Sequence, residues 1–323
     1  MSAMNAAPAP RPHRRARQQL VYGLAPLLVL GLAALVLLLV RLSDARAPLE
    51  AATASGRATV EAVGQPPEER GVRLSIPDGG QTRTGVLELP RPATVAVGTE
   101  IDVAYDPHSP VDATAVHVPG DAAYRRVQDF TFGVVAIALV LLVTTVLTAL
   151  RFLAVARSRR DAPADVTAGR VVVRQGLVVR SWLELVTSGG VRWLPVHWSP
   201  ELARLAPDTR IEVRGDPVRG RRVLPVVAGT ELWPSGRVRG RTPRGEKQFT
   251  EPGEAPDQAG WGRQLRSDAV TLVVAPVLGV LWAFIDDSGT GGFAVATALS
   301  AGLLWWLPQY LGSDPAPPPR DRA

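Results

Sequence analysis

The chain has 323 residues, of which 46% are hydrophobic and 20% charged, with a mean hydropathy of +0.09. It has no cysteine, which excludes a disulfide framework, thiolate zinc sites, iron–sulfur clusters and a cysteine nucleophile, and its four histidines leave little for a multi-histidine metal centre. The net charge of +6 and pI near 10.5 are carried almost wholly by arginine in an Ala-, Val-, Gly- and Pro-rich chain. Where the charges fall is therefore more informative than their sum.

The first element is a basic tail over 1–19, which leads into a Leu-rich stretch, 20–40, read as a transmembrane helix. A helix rises about 1.5 Å per residue, so about 20 apolar residues cross the ~30 Å hydrocarbon slab. A cleaved leader ending at Ala45-Arg46-Ala47 is the alternative. It is disfavoured because the apolar core is about twice the usual leader length of roughly 7–15 residues.

Residues 43–129 follow as an extracytoplasmic β-domain. Val72, Leu74 and Ile76 alternate with polar neighbours, the period of a half-buried strand. Asp78-Gly79-Gly80 supplies a tight turn, a return strand covers 86–89, and Ile101, Val103 and Tyr105 form a strand stopped by Asp106-Pro107. A second transmembrane helix is placed at 130–153. A second β-domain, assigned to the cytoplasm, spans 157–233, with strands at 171–173, 177–186, 191–198, 210–214 and 222–227 and a turn at Ser188-Gly189-Gly190. The paired glycines of the two domains lie 110 residues apart, and so do Thr99–Pro107 and Thr209–Pro217. That spacing suggests a duplicated helix-plus-β unit, and chance likeness of two small β-domains is the competing reading.

A flexible basic linker is expected over 234–266. Transmembrane helices three and four are placed at 269–285 and 291–311, with a disordered cytoplasmic tail over 312–323. The fold class is therefore an α+β membrane protein: four transmembrane helices with two small all-β domains, barrel or sandwich, of OB- or SH3-like size.

Orientation follows from the arginines. The N-terminal tail, the segment after the second helix and the segment before the third are basic, whereas the turn between helices three and four carries only acids. Residues 43–129 hold 8 basic and 13 acidic residues, and 157–266 hold 20 and 12. Both termini are accordingly placed in the cytoplasm of a cell with an inner membrane.

Residues 21–153 resemble a bacterial membrane family known only as a domain of unknown function. The likeness rests on a helix, a small β-domain with a Gly-rich hairpin (Gly79, Gly80), a late strand bearing Val97-Gly98, Val103, Tyr105, Asp106 and Pro107, and a second helix. The resemblance implies architecture and assigns no catalytic or ligand residue.

Candidate chemistry is sparse. His108 and His117, near Asp106 and Asp112, lack a third ligand at fixed spacing, and strand alternation puts His117 and His197 on solvated faces. Ser181, Ser188 and Ser199 have only His197 nearby, so no catalytic, cofactor-binding or metal site is assigned. Trp182, Trp193, Trp198 and Trp233 read as core in preference to a base-stacking platform, and no nucleic acid is expected. Trp305 and Trp306 read as an interfacial belt. The basic run Arg237, Arg239, Arg241, Arg244 and Lys247 reads equally as a lipid-attracting segment or a solvated one. Arg157, Arg159, Arg160, Arg263 and Arg266 are candidate contacts for anionic lipid. The apolar stretches lack internal charge, which argues against a transporter. Small residues in the fourth (Gly292, Ala296, Ser300; Ala294, Ala298, Gly302) favour close helix packing within the chain.

The expectation is a non-enzymatic, envelope-associated binding or scaffold module without cofactors. Its partners would be the lipid bilayer and another membrane or envelope protein, and its oligomeric state is left open. The alternative is a membrane-embedded enzyme or enzyme subunit acting on lipid or envelope polymer.

Overall fold

The computed structural model describes residues 10–67, 69–92, 95–249, 261–286 and 289–315. Four helical stretches are long and apolar enough to cross a membrane. They are α1 (Arg14–Ala51), α2 (Ala122–Ser158), the stretch Trp261–Ile285, and, after the short α3 (Pro200–Ala203), α6 (Gly289–Leu311). The third stretch is composite: α4 (Trp261–Ala269), a 3₁₀ segment (Val270–Val274) and α5 (Ala275–Asp286).

α1 and α2 run well past the apolar stretches at 20–40 and 130–153, because their flanks are rich in Ala, Arg, Leu and Gln, all good helix formers. At 38 residues α1 is about 57 Å long, so its Arg-bearing ends extend beyond a ~30 Å slab. Its middle presents bare apolar side chains such as Val29 and Leu32, and Val273, Phe284 and Ile285 are also strongly exposed. Surfaces of that kind match hydrocarbon, where helices satisfy their own backbone.

The chain forms two compact units, Leu32–Val140 and the remainder on either side. The first holds a five-stranded antiparallel sheet: β1 (Ala54–Gln65), β2 (Gly71–Asp78), β3 (Gln81–Glu88), β4 (Glu100–Tyr105) and β5 (Val116–His117), in the order β3-β2-β1-β4-β5. Its core is Val60, Val72, Leu74, Ile76, Leu87, Val103 and Val116, the inward half of the alternation. The outer edge of β3 is covered rather than free: Thr84 N–H bonds the Val111 carbonyl at 2.7 Å and Thr114 N–H bonds the Thr84 carbonyl at 2.9 Å. Gly85 permits this, since a Cβ there would strike the Thr114 carbonyl.

The second unit has β6 (Pro163–Gln175), β7 (Val178–Thr187), β8 (Gly190–Val196), β9 (Thr209–Arg214), β10 (Leu224–Val227) and β11 (Thr230–Glu231), with β12 (Glu246–Phe249) added on β6. Its order β8-β7-β6-β9-β10-β11 reproduces the first sheet strand for strand, extended by β11 and β12. The likeness reaches the turns. Asp106 accepts from His108 N–H at 2.9 Å, and Asp216 accepts from Val218 N–H at 2.8 Å, the same Asx turn at equivalent strand ends. Gly98 and Asp208, 110 residues apart, both take positive φ before the strand that follows. The hairpin loops themselves are Gly79-Gly80 and Ser188-Gly189, 109 residues apart, so the registers are not identical.

Two segments depart from the sequence reading. The stretch expected as a flexible linker over 234–266 begins as part of the second sheet: Ser235 and Arg239 bond the backbone of Pro195 and Trp193 on β8, and β12 pairs with β6. Trp233 and the apolar Val238 draw it in. Residues 250–260 lie outside the described residues. The tail expected to be disordered from 312 is ordered through 315, and 316–323 lie outside the described residues. Gly312, at φ +73, ends α6 in a Schellman turn, with Ser313 N–H on the Pro308 carbonyl and Gly312 N–H on the Gln309 carbonyl. This turn sends Ser313 and Asp314 inward, where Asp314 N–H bonds the Val179 carbonyl on β7 at 2.8 Å.

Candidate functional site

Within the second unit the helix ends are joined to the sheet by buried polar side chains. His13, just before α1, donates from Nε2 to the Trp198 carbonyl (3.2 Å), while its Nδ1 accepts the Trp233 N–H (3.2 Å). This double contact requires the neutral Nε2–H tautomer. Burial, opposed by the Trp198 carbonyl and Glu201 and assisted by Arg15, pushes its pKa down to about 4.

A second chain of bonds starts at His197. Its Nδ1 donates to Gln19 Oε1 (3.2 Å), and Gln19 Nε2 donates to Ser313 Oγ (3.1 Å). Ser313 Oγ donates to Asp268 Oδ2 (2.9 Å) and also accepts from Gln264 Nε2 (3.2 Å). Gln309 Nε2 donates to the same Asp268 oxygen. Every member is under a tenth exposed. The sequence reading placed His197 on a solvated face. It is instead fully buried, because α1 and the Gly312 turn cover that side of β8, and burial, joined by the nearby charges of Arg151 and Arg180, holds its pKa far below the ordinary value. A third link, Arg170 Nη2 and Ser181 Oγ both on Asp314 Oδ2, ties the chain after α6 to the sheet interior.

Apolar packing follows the same lines. Ala16 and Leu20 of α1, Val155 and Phe152 of α2, Leu224 of β10, Trp233 and Tyr310 form one cluster, with Phe152 edge-on to Trp233 at 5.1 Å. α6 approaches α1 closely at Gly302, where a Cβ would lie 2.9 Å from Leu27, and Gly279 of α5 faces Thr297 of α6. Trp306, read from sequence as part of a membrane belt, is buried, stacked on Tyr310 at 4.8 Å and donating to Thr148 Oγ1.

One open feature of this unit is a cavity of about 570 Å³ lined by Arg151, Arg180, Arg221, Arg237, Arg239 and Ser235. Arg180, on β7, is nearly buried, and its guanidinium is fixed by the Leu311 carbonyl (2.9 Å) and Ser235 Oγ (3.2 Å). Arg151, on α2, is held by the Pro234 carbonyl (2.9 Å) and lies 4.5 Å above the Tyr310 ring. Arg221, Arg237 and Arg239 are exposed. Burial first, then the charges of Arg239 and Arg151, push Arg180 down to about 10, so it stays cationic at neutral pH while crowded by like charge. Among the described residues nothing acidic lines this cavity.

The candidate lipid contacts are placed as follows. Arg157, Arg160, Arg263 and Arg266 are exposed. Arg159 is engaged by Glu231 through paired bonds of 2.8 and 2.6 Å. The four tryptophans, Trp182, Trp193, Trp198 and Trp233, are all buried. In the first unit His108 is exposed beside Asp106, whereas His117 is mostly buried, contrary to the solvated face expected from strand alternation, since β5 ends there and its ring turns to Asp121 (3.0 Å). Asp121 caps α2, accepting the Tyr124 N–H at 2.8 Å. Burial opposes its ionisation, yet His117 and the N–H groups of Tyr124 and Val118 hold its carboxyl below the usual carboxylate range. No group of three or more metal-ligating side chains assembles among the described residues.

The sequence reading missed the buried polar links and the cavity. Gln309 within an apolar stretch and the Gly312-Ser313-Asp314-Pro315 helix stop were the available signals. Comparison with protein-family models, curated proteins and solved structures finds no match for this chain.

Proposed function

We propose that this chain is a multi-pass inner-membrane protein acting as a non-enzymatic binding or scaffold module. In this reading both termini and the sheet of the second unit face the cytoplasm, and the sheet of the first unit faces outward. In the same reading each sheet belongs to a small barrel or sandwich of OB- or SH3-like size. The observation that carries the reading is the buried network in which His13 bonds the backbone of Trp198 and Trp233, Gln19 bonds His197, Gln264 and Gln309 bond Ser313 and Asp268, and Asp314 bonds Arg170 and Ser181 of the sheet. These links tie helix ends to the sheet, and preorganised surfaces bind at low entropic cost. The side chains in these links are sealed from solvent, so they serve architecture, and the exposed arginines remain for recognition.

The reading is tested by purifying the tagged full chain from its own membranes in mild detergent and quantifying what co-purifies. A protein or lipid retained in near-stoichiometric amount through extended washing is expected. Recovery of the chain with nothing above background would count against the module.

A further inference from the structure

The arginine cavity gathers five guanidiniums with no carboxylate in its lining among the described residues. Two other arginines of the unit meet carboxylates: Arg159 meets Glu231, and Arg170 meets Asp314. The five cavity arginines make no ion pair with a carboxylate among the described residues, and they converge from four separate parts of the chain: α2, β7, the loop before β10, and the segment after β11. Holding five guanidiniums together around open space is unfavourable unless an anion neutralises them. Two of the five are already fixed in place: Arg180 by a carbonyl and a hydroxyl, Arg151 by a carbonyl and an aromatic face. The other three are exposed, with the Arg239 guanidinium 5.7 Å over the Trp182 ring.

We propose that this cavity binds a phosphate-bearing anion, a phosphomonoester or diphosphate, through bidentate guanidinium contacts. Arginine's planar fork matches phosphate oxygens, and a dianion or trianion answers five cations where a single carboxylate leaves most of them unmatched. Nucleic acid is disfavoured, because Trp182, Trp193, Trp198 and Trp233 are all buried and offer no base a stacking face. Arg151 and Leu311 belong to α2 and α6, so one wall is built from the ends of two apolar helices, the depth at which a lipid headgroup sits. The same chemistry also suits a soluble phosphate. The inference deepens the binding-module reading, and phosphate binding without any retained protein would separate the two.

The test uses the full chain in nanodiscs of zwitterionic phosphatidylcholine. In one arm pyrophosphate is titrated at constant ionic strength, with chloride as the matched control. In the other the discs carry increasing phosphatidic acid. Thermal unfolding is read in both. A saturable rise with phosphatidic acid alone identifies a headgroup site, and a saturable rise with pyrophosphate identifies a soluble ligand. Either supports the proposal. The combined Arg221→Gln, Arg237→Gln, Arg239→Gln variant should bind at least tenfold more weakly, whereas Arg73→Gln, at an exposed position of the first unit's sheet, should not change the affinity. Should the triple variant fail to fold, Arg237→Gln alone should weaken binding at least threefold. No saturable response in either arm, or equal response in the cavity variants, overturns the proposal.

Discussion

Asp314 offers the sharpest test of how the second unit is held together. It lies three residues beyond α6, its side chain is 0% exposed, and its partner Arg170 is 4% exposed. At 2.7 Å and an effective dielectric of 20, their attraction is about 6 kcal/mol gross. The cost of taking two ions out of water cancels most of that, so the intact pair adds little net stability. Removing one partner is a different matter, because Arg170 stays buried without compensation and Ser181 loses its acceptor. Asp314→Ala should therefore cost about 3–5 kcal/mol. For a folded unit of this size that lowers the melting temperature by roughly 10 °C. Detergent-solubilised protein, followed by the fluorescence of its buried tryptophans, reads this directly. The double variant Arg170→Met, Asp314→Leu should recover more than half of the loss, since neither charge then needs burial. A loss under about 1 kcal/mol for Asp314→Ala, or no recovery in the double variant, would refute the argument that the helix-stop segment is pinned by a buried ion pair.

Two further predictions rest on the same unit and on the absence of cysteine. Both ring nitrogens of His13 are engaged in its neutral form, and its pKa is pushed down to about 4 from an ordinary value near 6.5. The unfolded chain thus binds the proton first, so stability is full above pH 6.5 and is lost as pH falls toward 4, by on the order of 3 kcal/mol. Melting temperatures from pH 7.5 to 4.5 should show that fall, and His13→Gln should flatten part of it. The cysteine-free chain also permits clean labelling of its topology. Asp102→Cys, at a residue 90% exposed in the first unit, should react with a membrane-impermeant maleimide on intact spheroplasts, whereas Arg219→Cys should react only after lysis. Labelling of Arg219→Cys but not Asp102→Cys on intact spheroplasts would reverse the assigned sides, and equal labelling of both would refute the cytoplasmic placement of the second sheet.

Much of the fold was legible because it rests on local periodicity. Alternation at Val72, Leu74 and Ile76, the glycine turns and the Asp-Pro strand stops mark both sheets, and charge-free stretches mark all four long helices. What escaped depends on contacts distant in sequence. His197 and His117 sit at alternation positions that point away from their own strand's apolar face. They are buried all the same, because α1 covers one and the cap of α2 receives the other. Period-two patterning reports which face of a strand is apolar, and it is silent on whether a second element covers the polar face. The 234–249 segment misled for a related reason. Its charge and glycine content match a linker, yet it is held by backbone bonds to β8 and β6, which composition does not register.

The two sheets make the same point by comparison. They share strand order, Asx turns at Asp106 and Asp216, and positive φ at positions 98 and 208. Among the described residues the second alone has β11, β12 and the segments on either side of the helices, with Arg11 paired to Thr230 and Ser313 to Arg180. These additions bring Arg237 and Arg239 beside Arg180 and Arg151, and Ser235 beside Arg180. The basic cavity is therefore a product of what was added to a common plan. A role specific to this chain is expected to reside in those additions, since the shared strands alone supply neither the fixed guanidiniums nor the wall that faces them.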